Sequence, residues 1–124
     1  MREDFRVIVA GTRTFDDYEF LCYHCDYFLS EMRKKRRIVI VSGRANGADQ
    51  MGERYARERG YSLRTYPANW ERYGNRAGPI RNELMAQNAD ALIAYWDGRS
   101  PGTKNMIDTA RDYGLLVRIK IYSS

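Results

Sequence analysis

Three short stretches of this chain share one chemistry. Gly11-Thr12-Arg13-Thr14, Ser42-Gly43-Arg44-Ala45-Asn46-Gly47-Ala48-Asp49 and Asp97-Gly98-Arg99-Ser100-Pro101-Gly102-Thr103 each combine glycine, a hydroxyl side chain and an arginine. Those groups suit an anion. Glycine lets the main chain come close and turn freely. N–H groups at the start of a helix point outward, where the helix dipole favours negative charge. Hydroxyls add donors, and arginine adds a planar, bidentate fork. The expectation is a phosphate held chiefly by residues 41 to 52, through backbone donors, Ser42 and Arg44. Taken singly, each loop is equally well read as a tight strand-to-helix turn with Asp49 or Thr103 as cap. Their recurrence favours an anion site.

Neither of the usual phosphate motifs is present. A Walker A loop needs G-x-x-x-x-G-K-[ST], whereas Gly43 and Gly47 are too close and no lysine follows. A dinucleotide fingerprint needs G-x-G-x-x-G after the first strand, and Gly11 stands alone there. P-loop ATP hydrolysis and full NAD binding are both disfavoured, and no cofactor is expected. Cys22, His24 and Cys25 invite a metal or redox reading. A structural zinc site takes four ligands, and the sequence offers no second Cys/His pair. The CxxC lies inside an amphipathic segment rather than at a strand-to-helix turn, so packed thiols are expected and no metal. His24 is the one histidine, which makes a histidine-dependent triad improbable.

These loops are positioned by alternating elements. Apolar runs at 5–10, 38–41, 91–96 and 115–122, with a weaker one at 62–66, read as strands. Helices are expected from a cap at Asp16 or Asp17 to about Lys35, over 48–59 up to Gly60, from Pro79 to about Asn88, and from a Thr103 cap to Gly114. Pro67 to Gly78 reads as an irregular aromatic loop. Regular β/α alternation predicts a Rossmann-like, three-layer α/β/α domain of residues 1–124, with a five-stranded, mainly parallel sheet in the order 3-2-1-4-5. The weakly apolar third strand belongs near an edge. In such sheets ligands sit beyond the carboxyl ends of the strands at the switch point, where the three loops gather.

The totals agree with one folded domain. The chain has 124 residues, 44% of them hydrophobic, enough for a packed core. No apolar run approaches the roughly 20 residues that cross a bilayer. The acidic start, Met1-Arg2-Glu3-Asp4, does not resemble a signal peptide, and a cytoplasmic location is expected. Net charge is +5 with a pI of about 9.4, which admits nucleic acid or a phosphorylated small molecule. The densest basic run, Arg33 to Arg37, reads as a solvated helix end rather than a nucleic-acid patch.

Four motifs in one order carry a family resemblance: "VIVAGTR", "SGRANGAD", "PANWERYGNRAGPIRN" and "ALIAYWDGRSPGTKNMI". Together they resemble the YspA-type, YpsA-related branch of the SLOG superfamily, Rossmann-like relatives of the DprA and LOG proteins, over about residues 5 to 121. The resemblance implies a nucleotide-derived ligand at the switch point, in a protein of bacteria or their mobile elements. It implies contacts at Gly11, Thr12, Arg13, Ser42, Gly43, Ala45, Gly47, Asp49, Arg81, Asn82, Ser100, Gly102 and Thr103. One departure matters. LOG enzymes cleave the base–ribose bond, and their signature resembles P-G-G-x-G-T-x-x-E. Aligning Gly102-Thr103 with that G-T puts Met106 at the glutamate, and methionine cannot move a proton. Asp108 is two residues on and turned by roughly 200°. Asp49 and Asp97 remain as weak catalytic candidates, each with an ordinary role as cap or turn residue.

Between strands three and four, Trp70 and Tyr73 are candidates to stack a base, with Arg76 or Arg81 on a phosphate. Packing the loop down is an equal reading. A helix starting at Pro79 would put Arg81 and Asn82 in its first turn. The leading expectation is a nucleotide-ligand domain, either a sensor or a hydrolase of a glycosidic or phosphate bond. The alternative is a DprA-like single-stranded DNA-binding protein. A third is an interaction subunit assembling through Tyr18, Tyr23 and Tyr27. A homo-oligomer is expected, and no membrane partner.

Overall fold

The structure is a computed structural model that describes residues 3–123, so Met1 and Arg2 of the acidic start lie outside it. Five strands form one sheet: β1 (Asp4–Gly11), β2 (Arg37–Ser42), β3 (Ser62–Thr65), β4 (Ala91–Trp96) and β5 (Leu116–Ile121). Their order is β3-β2-β1-β4-β5, and every neighbouring pair is parallel. The expected topology is therefore the observed one, with the switch point between β1 and β4.

Parallel strands covered on both faces should be apolar at successive positions rather than at alternate ones. Val7, Ile8, Val9, Ile40, Val41, Leu92 and Ile93 are all buried. Alternation along each strand splits them between two cores. Val7, Val9, Ile38, Ile40 and Ile93 pack with Leu21, Cys25 and Leu29 of α1 (Tyr18–Leu29) and Tyr55 of α3 (Ala48–Arg59). Ile8, Ala10, Leu92 and Ala94 pack with Met85 of α5 (Ala77–Gln87) and Met106, Ile107 and Ala110 of α6 (Pro101–Asp112). Each buried Val, Leu, Ile or Met among them contributes about 1.5–3 kcal/mol by leaving water. β3 is the weakly apolar edge strand that the sequence foretold.

Several boundaries differ from the sequence expectation. The first helix does not run to Lys35. It ends at Leu29, and a short α2 (Met32–Lys35) follows Ser30 and Glu31. Asp17 is its cap, accepting from Phe20 N at 3.1 Å. The basic run beyond is partly ion-paired, with Arg36 on Glu3 and Arg37 on Asp4. The segment after β3 is not irregular. It holds α4 (Trp70–Tyr73), capped by Asn69 accepting from Arg72 N at 3.0 Å, and a 3₁₀ turn at Gly74–Arg76. α5 starts at Ala77, so Pro79 sits at its third position and Arg81 and Asn82 fall in the second turn. Proline is tolerated throughout a first turn because those N–H groups lack intrahelical acceptors. α6 begins at Pro101, with Ser100 in the cap position that the sequence gives to Thr103. None of the helices among the described residues is long and apolar enough to cross a membrane.

Candidate functional site

The carboxyl ends of β1 and β4 open into a cavity of about 650 Å³. Ala10 to Thr14 line it from β1 and its loop, Ala45 and Asp49 from the second loop and α3, and Asp97 and Ser100 to Thr103 from the fourth. The aromatic segment and α5 add Trp70, Asn75, Gly78, Pro79, Arg81, Asn82 and Met85, and α6 adds Asn105 and Met106. So the structure gathers Gly11, Thr12, Arg13, Ala45, Asp49, Arg81, Asn82, Ser100, Gly102, Thr103, Asp97 and Trp70 around one space. Ser42, Gly43, Arg44, Gly47 and Tyr73 are not among the lining residues.

The reason is what residues 42 to 49 do instead. Ser42 is fully buried. Its hydroxyl donates to Glu53 Oε2 at 2.7 Å and accepts from Arg44 N at 3.1 Å. Arg44 Nη1 reaches Glu53 Oε1 at 3.2 Å, which anchors Arg44 in its left-handed backbone conformation, φ 65°. Such a conformation in a non-glycine residue persists only when its surroundings hold it. Ser42 and Arg44 thus serve a buried carboxylate, not an open anion site. Glu53 was not foreseen, although it lies four residues after Asp49, on the same face of α3.

The glycines of this loop are likewise used internally. A Cβ on Gly43 would stand 2.7 Å from Arg81 Nη1 and 2.9 Å from Asp49 Oδ2. Gly47 has φ 76°, and a Cβ there would collide with the carbonyl oxygens of Thr12 and Arg13. Gly47, not Asp49, is the N-cap of α3. Asp49 is the second helical residue, buried, and its Oδ2 accepts from Ala45 N at 3.3 Å. Burial pushes its carboxyl up to about 6, against the opposing pull of the Ala45 N–H and the Arg81 charge. Burial also lowers the pKa of Arg81, whose Nη1 donates to Gly43 O.

The start of α6 is different. Gly102 lies in the first turn, lines the cavity, and a Cβ there would meet nothing within 4 Å. Main chain is therefore open to an incoming group here. Thr103, in the same turn, is buried. First-turn N–H groups have no acceptor inside their own helix. The turn before α6 is fixed by Asp97, whose Oδ1 accepts from Arg99 N at 2.9 Å and Ser100 N at 2.8 Å, and whose Oδ2 accepts from Ser100 Oγ at 3.1 Å. The Ser100 and Arg99 N–H groups hold the Asp97 carboxyl below the usual carboxylate range. Thr12 Oγ1 accepts from Asp97 N at 3.2 Å, tying the first loop to the fourth. Met106 is buried in the cavity wall.

Trp70 is 48% exposed and lines the mouth, against Gly78. Tyr73 does not line the cavity and carries Arg72 over its ring at 5.1 Å. On α1, Cys25 is buried with Sγ 3.2 Å from Tyr95 Oη, and burial raises its thiol pKa to about 12, which makes a poor nucleophile. Cys22 is half-buried and free. His24 packs edge-on to Phe20 at 4.4 Å. Among the described residues, no group of three His, Cys, Asp or Glu side chains comes together as a metal site.

A profile of the YspA, cpYpsA-related SLOG family matches residues 5–73. The "Gene 61 protein" of Mycobacterium phage D29 is 33% identical over 119 residues, covering 90% of this chain and 93% of that protein. Among solved structures, the DNA processing protein A (DprA) of Streptococcus pneumoniae superimposes with a TM-score of 0.68 at 17% identity. That match covers 94% of this chain, which spans only 50% of the DprA chain. TM1055, a structural genomics target, superimposes with a TM-score of 0.62 at 19% identity, covering 94% of this chain and 72% of that one. Both structures carry the same fold. The family match over more than half the chain and the near full-length phage relative show that this chain belongs to the YspA, cpYpsA-related SLOG family.

Proposed function

We propose that the chain binds a nucleotide or nucleotide-derived phosphorylated ligand in the carboxyl-edge cavity, with a phosphate seated at the start of α6. One observation carries this reading. Gly102 presents an unobstructed first helical turn to a cavity that also holds Arg13 and Arg81. Arg13 has no side-chain partner among the described residues, and it faces solvent. Open helix N–H groups, dipole and unspent guanidinium together favour an anion. The volume falls in the range of about 300–1,000 Å³ usual for small ligands. Trp70 at the mouth supplies a face on which a base can stack.

We read the site as one that binds rather than one that cleaves by the LOG route. Met106 stands at the glutamate position, and Asp97 has its oxygens committed to the turn before α6. Asp49 keeps a carboxyl that burial pushes up to about 6. A thermal-shift panel of adenosine 5′-monophosphate, ribose 5-phosphate and ADP-ribose at millimolar concentration tests the reading. Wild type should gain several degrees with at least one compound, and Gly102→Val should gain none. No shift with any of them contradicts it.

A second reading rests on α4 and its 3₁₀ extension, which expose Trp70, Arg72, Tyr73 and Arg76, with Trp70 lining the cavity. Aromatics interleaved with cations suit single-stranded nucleic acid, and the structural likeness to a DNA processing protein agrees with it. It predicts oligonucleotide binding that weakens steeply between 50 and 200 mM salt, taken as roughly the span in which phosphate contacts are lost.

A further inference from the structure

A chain of hydrogen bonds of fixed polarity ends in the cavity. Arg81 Nη1 donates to Gly43 O, and Arg81 Nε donates to Asn82 Oδ1 at 2.9 Å. Asn82 Nδ2 donates to Asn105 Oδ1, also at 2.9 Å. A carboxamide alone can be turned either way round. A guanidinium can only donate, so Arg81 removes that freedom from both asparagines. Asn82 must present its oxygen to Arg81 and its amino group to Asn105. Asn105 must present its oxygen to Asn82, which leaves its own amino group as the free end. Asn105 Nδ2 has no acceptor among the described residues, and Asn105 lines the cavity. Asn82 itself is buried, 5% exposed, so its two bonds are not readily exchanged for water.

Asn105 stands three residues after Gly102 on α6, on the same side of the helix and about 4.5 Å further along its axis at about 1.5 Å per residue. The same wall includes Met85 and Met106, which offer nothing to a charged group. We infer that Asn105 is a specificity-determining residue, whose Nδ2 donates to an uncharged acceptor of the ligand about one helical turn below the phosphate at Gly102 and Thr103. In a nucleoside or sugar phosphate that acceptor is an oxygen of the sugar. The inference rests on the proposed phosphate position. It explains why an extended relay of a donor-only side chain and two carboxamides is built through α5 and α6. Its product is a neutral donor of fixed direction beside a phosphate. A carboxylate at that point would repel the anion, and a freely turning amide would not discriminate acceptor from donor.

The test is a titration of ¹⁵N-labelled protein with ribose 5-phosphate and, separately, inorganic phosphate. Ribose 5-phosphate should shift the backbone amides of Gly102 and Thr103 and the side-chain amide of Asn105. Inorganic phosphate should shift the first two alone. By calorimetry, Asn105→Ala should weaken ribose 5-phosphate about tenfold, as loss of one good hydrogen bond, and leave inorganic phosphate unchanged. Asn105→Gln, which keeps a carboxamide at the wrong reach, should restore little. If Gly102 and Thr103 respond but the Asn105 amide does not, or if Asn105→Ala weakens both probes equally, Asn105 has only a structural role and the inference fails. If neither Gly102 nor Thr103 responds to either probe, the proposed phosphate position fails, and this inference with it.

Discussion

Both edges of the sheet carry clefts lined with arginine, and the difference between them is instructive. At the amino edge a groove of about 950 Å³ is lined by Glu3, Asp4, Arg6, Arg36, Arg37, Arg64 and Asp90. There each arginine meets a carboxylate: Arg6 on Asp90 at 3.2 Å, Arg37 and Arg64 on Asp4 at 2.8 and 3.2 Å, Arg36 on Glu3 at 3.5 Å. The carboxyl-edge cavity is smaller, but its charges are not offset in this way. Arg13 is without a side-chain partner among the described residues, Arg81 is bonded to a carbonyl and an amide, and Asp49 is buried with its pKa raised. Volume is larger where the donors are satisfied; unspent donors collect where the smaller space is. The proposed binding follows the donors.

The sharpest way to break this contrast is through the glycines. Gly47→Ala forces a Cβ onto two carbonyl oxygens at a positive φ, and should cost about 3 kcal/mol or more by denaturant unfolding. Gly102→Ala meets nothing within 4 Å and should leave stability unchanged or raise it by up to about 1 kcal/mol. Equal losses at the two positions would mean that Gly102 is also packed, and that no open turn exists.

Asp49 gives the next largest effect. Its pKa is raised in the fold, to about 6, from roughly 3.9 in the unfolded chain. The folded state then binds its proton more tightly. Its contribution is fully present below about pH 4 and is lost as pH rises through about 6, a fall of roughly 3 kcal/mol. Asp49→Asn should therefore flatten the stability profile between pH 4 and 7 and unfold at higher denaturant than wild type at pH 7.5. A mutant less stable at pH 7.5 would show that the charged Asp49–Arg81 pair holds the loop. Smaller still, Trp70→Ala should weaken a nucleotide by about 1–3 kcal/mol of stacking and leave ribose 5-phosphate untouched. At the amino edge, Asp90→Asn should cost no more than about 1 kcal/mol and no affinity at all. The Asp90 carboxyl is held below the usual range, with the Arg6 hydrogen bonds outweighing its partial burial. Whatever stability it adds is thus present above about pH 4 and disappears as pH falls below that.

The fold was legible in the sequence because its signals are local and repeated. Unbroken apolar runs such as Val7-Ile8-Val9 mark buried parallel strands, and Asp17 and Gly60 mark helix ends. The site was legible only as a location. The structure brings glycine, hydroxyl and arginine to one edge, yet the sequence does not tell which of them look inward. Ser42 and Arg44 are drawn to Glu53, a partner 11 and 9 residues away in the chain. Gly43 and Gly47 make room for neighbours 38 and about 34 positions distant, Arg81 and Arg13, rather than for a ligand. Their roles are set by contacts between loops, which carry no periodic trace. Asn105 left a trace only after the fact, three residues from Gly102 on one helical face. The start of α5 was misplaced because proline suits any position of a first turn, so Pro79 could not say that two residues preceded it.

The central claim is that the ligand meets main chain at the start of α6 and not the larger amino-edge groove. Isothermal titration calorimetry with adenosine 5′-monophosphate on three proteins tests it directly: wild type, Gly102→Val and Arg64→Ala. Wild type and Arg64→Ala should bind with the same affinity, and Gly102→Val should bind more than about tenfold more weakly, a loss above roughly 1.4 kcal/mol. Unchanged binding by Gly102→Val, or a loss confined to Arg64→Ala, would contradict the claim.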